Sequence, residues 1–210
     1  HDRWSRAVLF SGKAGTGKST LLEVLQKIIY PQEMVGVLSN KIESQFGLHP
    51  LIDKQVCVCT EMKHNFQLPA SDFQMMVSGE TMQIAKKNEK AVPVEWDKQI
   101  FLASNEYLPW IDAQGSIERR IFAVVFKQKV DDKDVNNQLL SEIRNEEAAD
   151  IIVGMNNLYR RMVLKYAHGD IKTVIPRFFD ECMEHLRMMI DDITAYIKTS
   201  TDLYLHSDVY

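Results

Sequence analysis

The strongest chemical signal in the chain is the run Gly12, Lys13, Ala14, Gly15, Thr16, Gly17, Lys18, Ser19, Thr20. It fits the spacing G-x-x-x-x-G-K-[ST], which suits a backbone that must fold around phosphate. The glycines tolerate the backbone angles that turn amide N–H groups inward, and a helix beginning at the end of the run adds partial positive charge. In such a loop Lys18 would reach the β- and γ-phosphates of ATP, and the Ser19 hydroxyl would hold Mg²⁺. Glu61 directly follows an apolar run, where a carboxylate can orient water or contribute to holding Mg²⁺. The residue before it is Thr60 rather than a second acid. Asn105 ends another apolar run; its amide can donate to the γ-phosphate or to attacking water, although Asn is also a common turn residue. Arg119 and Arg120 stand just before a further apolar run. Paired guanidinium groups pack poorly there and suit a finger that neutralises phosphate charge, often in a neighbouring subunit's site.

Those residues need parallel strands that end side by side. Ala7-Val8-Leu9-Phe10 reads as a short buried strand, and residues 21–29 as a helix stopped by Pro31. Residues 33–38 read as a second strand, and 40–46 as a helix capped by Ser39 or Asn40 and stopped by Gly47. Gln55-Val56-Cys57-Val58-Cys59-Thr60 is β-branched and apolar on both faces, as a central strand covered by helices should be. Cys57 and Cys59 share one face of it. With only Cys182 and scattered histidines as further soft ligands, core packing suits them better than a metal. Residues 99–104 and 121–126 complete a set of five strands.

Between the acid-bearing strand and the next one, residues 71–77 read as a helix broken by Ser78-Gly79-Glu80. Residues 81–85 and 91–96 follow as the arms of a hairpin, with Met82, Ile84, Val92, Val94 and Trp96 alternating. Its tip, Lys86-Lys87-Asn88-Glu89-Lys90, reads either as a solvated turn or as a finger for a nucleic-acid backbone. Past Asp131 the composition turns helical. Residues 135–140 and 143–165 read as helices, the second interrupted near Gly154. Another spans 178–197, with Phe178, Phe179, Cys182, Leu186, Met189, Ile190 and Ile193 on its apolar positions.

The 210 residues, 45% of them hydrophobic, suffice for one globular unit with a small appendage. A formal charge of −4 excludes a surface that is basic throughout, so nucleic-acid contact would be local. Three cysteines make no disulfide framework, which points to an intracellular, reducing compartment. No apolar run is long enough to span a membrane. The start at His1 suggests a fragment or processed piece.

Glycine loop, strand-plus-Glu61, Lys-tipped hairpin, strand-plus-Asn105 and Arg119-Arg120 before a strand, in that order, resemble the superfamily 3 helicases, replicative ATPases of viruses and some mobile elements. More narrowly, Phe46-Gly47-Leu48 through Leu51, Lys54 and Thr60-Glu61 look like the helicase–primase class of poxviruses, other large DNA viruses and some phages. Ser78-Gly79-Glu80 and Asn105-Glu106-Tyr107-Leu108-Pro109 point the same way. The resemblance covers residues 7–126. It implies a P-loop, AAA+-like α/β core over 1–130 with a five-stranded parallel sheet, and a helical appendage over 131–210. It also implies a homo-hexameric ring with ATP between subunits, in which Arg120 aligns better than Arg119 with the family's finger. Lys86, Lys87 and Lys90 would grip single-stranded DNA, and a primase domain or other replication proteins would be partners.

The sequence therefore leads us to expect a DNA helicase motor of viral or mobile-element replication. Three alternatives stay open: a nucleotide-dependent DNA-binding ring or initiator with little turnover, an RNA-directed helicase, and a small-molecule kinase. The kinase would need an arginine-bearing lid where this chain has a Lys-tipped hairpin.

Overall fold

Strand β1 (Ala7–Gly12) lies near the middle of the sheet because both its faces are apolar: Ala7, Leu9 and Phe10 are buried. Four more parallel strands flank it, namely β2 (Val35–Val37), β3 (Val56–Cys59), β6 (Gln99–Ser104) and β7 (Ile121–Phe126), in the order β2-β3-β6-β1-β7. The expected five-stranded parallel sheet is thus present in an α/β fold. The computed structural model describes residues 4–42, 47–85, 89–105, 110, 115–166 and 176–190. Register fixes what meets at the carboxyl ends. Ser11 pairs with Ser104 and Val125, and Gly12 with Phe126, so the loops after β1, β3 and β6 converge at one edge.

Helix α1 (Lys18–Val24) follows β1 and continues as a wider turn over Leu25–Ile29, closed by Tyr30 N–H donating to the Leu25 carbonyl at 3.0 Å. Strand β2 is shorter than expected, because Gln32–Met34 form a 3₁₀ turn. The helix expected over 40–46 is not formed in its described part. Residues 39–42 make a turn in which Lys41 N–H donates to Ser39 Oγ at 3.2 Å, and residues 43–46 lie outside the described residues.

Helix α2 (Ala70–Ser78) ends at Gly79, whose φ of 74° is the left-handed conformation that glycine adopts without strain. Glu80 N–H then donates back to the Met75 carbonyl at 3.0 Å, a Schellman-type stop. Strands β4 (Thr81–Ile84) and β5 (Val92–Glu95) form the predicted antiparallel hairpin. Met82, Ile84 and Trp96 are buried as the alternation requires, but Val92 is exposed on the outer arm. Lys86 and Lys87 lie outside the described residues; Lys90 is exposed at the base of the second arm.

In the C-terminal part, α3 is a short helix, Leu139–Glu142, so the helix expected over 135–140 starts later. Helix α4 (Ala148–Tyr166) runs through Gly154 without interruption, since nothing crowds that position and its neighbours are helix-compatible. No residue of α4 is buried. Helix α5 (Arg177–Ile190) differs: Cys182 and Leu186 join the main core and Phe179 lies 5.1 Å from the Phe122 ring of β7. Residues beyond 190 lie outside the described residues. Among the described residues no helix is long and apolar enough to cross a membrane.

Candidate functional site

The glycine loop turns sharply between β1 and α1 because three of its residues have positive φ: Gly12 at 146°, Gly15 at 76° and Gly17 at 92°. Inside the turn Lys18 is buried, and its ammonium donates to the carbonyls of Gly12 and Lys13 at 2.7 Å each and to Thr16 Oγ1 at 3.3 Å. The Thr16 hydroxyl itself donates to the Lys13 carbonyl at 2.9 Å. Burial lowers the Lys18 pKa from its ordinary value, since desolvation disfavours the charged form. The loop therefore holds a cation at the N-terminus of α1. Ser19 stands exposed beside it.

A cleft of about 550 Å³ opens over this turn. It is lined by the loop, by Thr60 and Glu61 after β3, and by Ser104 and Asn105 at the end of β6. Lys18, Ser19, Glu61 and Asn105 are thus brought to one surface by three chain segments. Chemically, the cleft offers a cation, a hydroxyl, an exposed carboxylate and an amide. No three His, Cys, Asp or Glu side chains cluster as a metal cage among the described residues. Ser19 and Glu61 alone leave a hard divalent cation short of oxygens, which a phosphate ligand would complete.

Two residues not expected from the sequence to belong to the site fix the Glu61 segment. Asn40 Nδ2 donates to the Glu61 carbonyl at 2.6 Å, and Asn40 Oδ1 accepts from Lys63 N–H at 2.9 Å. From the other side Ser104 Oγ donates to the Met62 carbonyl at 2.8 Å, and Met62 N–H to the Ala103 carbonyl at 2.7 Å. A polar residue at a strand's end is the signal that was available, and it fits any turn.

The two arginines are not in this cleft. They belong to a 3₁₀ turn, Glu118–Arg120, before β7, and parallel register puts that turn at the opposite edge of the sheet from the glycine loop. Along the strands the separation is roughly 17 Å. Arg120, the residue favoured from sequence, is half-buried: its Nε donates to Ser78 Oγ at 3.1 Å and its guanidinium to the Ser116 carbonyl at 2.7 Å. Arg119 is exposed; its backbone N–H donates to the Gly115 carbonyl at 3.2 Å, while its guanidinium has no hydrogen-bonded partner among the described residues. Its turn is tied to α5 by Arg187, which donates to both Glu118 carboxylate oxygens at 2.7–3.0 Å.

Cys57 and Cys59 are buried free thiols in the core, where desolvation pushes their pKa values up to about 12 and about 11.

The model of a family of unknown function, DUF5906, matches residues 9–120, just over half of the chain. The chain belongs to DUF5906. The matched stretch begins in β1 and ends with Arg120, so this DUF5906 chain carries every described site residue within it. Over 122 residues the chain is 28% identical to the DNA primase-polymerase of Nitratiruptor phage NrS-1, spanning 56% of itself and 17% of that protein's length. The A-form apo structure of the NrS-1 C-terminal region aligns with TM-score 0.56 and 25% identity over 71% of this chain and 36% of that one. A second structure of that region, residues 305–718, aligns with TM-score 0.51 and 24% identity over 70% and 34%.

Proposed function

We propose that this DUF5906 domain is an ATP-hydrolysing motor of the superfamily 3 helicase kind, working on single-stranded DNA in phage or viral replication. The observation that carries the reading is the convergence of Lys18, Ser19, Glu61 and Asn105 on one cleft over a glycine loop. Its likeness to a phage primase-polymerase supports a replication setting.

In this reading the loop N–H groups and Lys18 bind the triphosphate, and the Lys18 ammonium exchanges its loop carbonyls for phosphate oxygens. Glu61, held by Asn40, orients the attacking water and accepts its proton; Asn105 positions that water against the terminal phosphate. Mg²⁺, held with Ser19 and Glu61, would supply neutralising charge to the phosphates. The exposed Arg119 of one subunit completes the neighbour's cleft, with Arg120 kept as a brace. A ring of six such subunits provides that contact, and Lys86, Lys87 and Lys90 of the hairpin grip the strand.

The test is ATP hydrolysis with and without single-stranded DNA over a range of protein concentrations, comparing the wild type with Lys18→Ala and Glu61→Gln. DNA stimulation that steepens with concentration and vanishes in both variants is expected. Thr60, which lines the cleft without a charge, favours a second reading as a nucleotide-dependent DNA-binding module with little turnover. Wild-type and Glu61→Gln proteins that bind DNA equally in ATP and hydrolyse nothing would select it.

A further inference from the structure

A second cleft adjoins the glycine loop on its other side. Strand order fixes the geometry: Glu61 and Asn105 come from β3 and β6 on one side of β1, and β7 lies on the other. A linear triphosphate whose terminal phosphate meets Glu61 must leave the loop toward β7. There the chain is stitched to the loop, for Val130 N–H donates to the Gly15 carbonyl at 2.9 Å. The Lys129 stem lies so close to Gly15 that an added Cβ would meet it at 3.2 Å. The cleft between them is lined by Phe126, Phe178 and Thr16, by the polar segment 127–131 and by Asp134, and Thr16 also lines the first cleft, so the two lie side by side at the loop.

Phe178 is the unusual member. It lies in the first turn of α5, a helix that faces β7 through Phe179, Cys182 and Leu186, yet it is itself 49% exposed. Phe179 braces it edge-on, with ring centroids 5.4 Å apart. A half-exposed aromatic ring held by a packed neighbour and lining a cleft beside the glycine loop can serve as a stacking platform.

Resting on the nucleotide reading above, we infer that the β7-side cleft takes the base of the bound nucleotide and that the Phe178 ring stacks on it. A flat heterocycle is the occupant this surface fits. A purine, with its larger face, binds better there than a pyrimidine.

The test uses the full chain with ATP, CTP and inorganic tripolyphosphate as calorimetric probes. Phe178→Ala should weaken ATP about tenfold, narrow the gap between ATP and CTP, and leave tripolyphosphate at its wild-type affinity. Phe178→Trp should restore ATP. Unchanged ATP affinity in Phe178→Ala overturns the inference, as does an equal loss of ATP and tripolyphosphate, which would make the ring merely structural. If the wild type binds ATP no better than tripolyphosphate, the inference falls while the phosphate loop stands. If the wild type binds neither, the nucleotide reading falls and takes this inference with it.

Discussion

The side chain of Asn40 closes on the backbone of Glu61, donating to its carbonyl at 2.6 Å while accepting from Lys63 N–H. One amide thus spans the peptide stretch that carries the Glu61 carboxylate from β3 into the cleft. Replacing it by Ala frees that stretch without touching nucleotide-binding groups. Asn40→Ala should lower kcat for ATP about tenfold with KM little changed, because catalysis is more sensitive than binding to displacement of an orienting group. Asn40→Asp keeps the acceptor for Lys63 and loses the donor to Glu61, so it should not rescue. A fall in KM-linked affinity equal to that in kcat would instead make Asn40 a general support of the loop.

The glycine loop gives a second contrast. A Cβ at Gly12 would collide with the carbonyl oxygen of Phe126 in β7, and φ there is 146°. Both effects push β1 and β7 apart, so Gly12→Ala should destabilise the fold by about 3 kcal/mol. At Gly17 nothing lies within 4 Å, and the left-handed φ of 92° is the sole penalty. Gly17→Ala should cost about 1 kcal/mol and act chiefly on phosphate binding. Urea titrations of the two variants check the order; equal midpoints would refute it.

The sheet and the loop were legible in the sequence because their signals are local: apolar runs, a Gly-Lys-Ser turn, and Gly79 where α2 needs a left-handed residue. What failed was set at a distance. Asn40 reads as a helix cap until its partners 21 and 23 residues later are known. Arg119 and Arg120 are equivalent as letters, and what separates them includes Ser78, 42 residues upstream. Gly154 suggested a break that α4 does not need, since one exposed glycine costs only about 1 kcal/mol in a helix this long. Lys86 and Lys87 lie outside the described residues, so the hairpin's role rests on its position alone.

The cysteines give a prediction about reactivity. All three are buried, and the pKa values of about 12 for Cys57 and about 11 for Cys59 leave almost no thiolate at about pH 8. A thiol-specific reagent should therefore label none of them in the native protein and all three once denaturant is added. Rapid native labelling of Cys57 or Cys59 would mean that the β3 face opens readily, against the buried position it holds between β2 and β6.

The last prediction separates the adjacent arginines. Arg120 bonds Ser78 and the Ser116 carbonyl, so Arg120→Ala should lower stability by about 1–2 kcal/mol and reduce turnover only through that loss. Arg119→Ala removes an exposed group and should leave the melting temperature unchanged. If it completes a neighbour's cleft, ATP should still bind while turnover falls at least about a hundredfold. Mixing then distinguishes cis from trans. In a ring assembled from Lys18→Ala and Arg119→Ala subunits, some interfaces pair an intact cleft with an intact arginine, so activity should partly return. Two inactive proteins that stay inactive when mixed would place Arg119 outside the shared site. Loss of turnover in Arg120→Ala with full stability would return the role to Arg120.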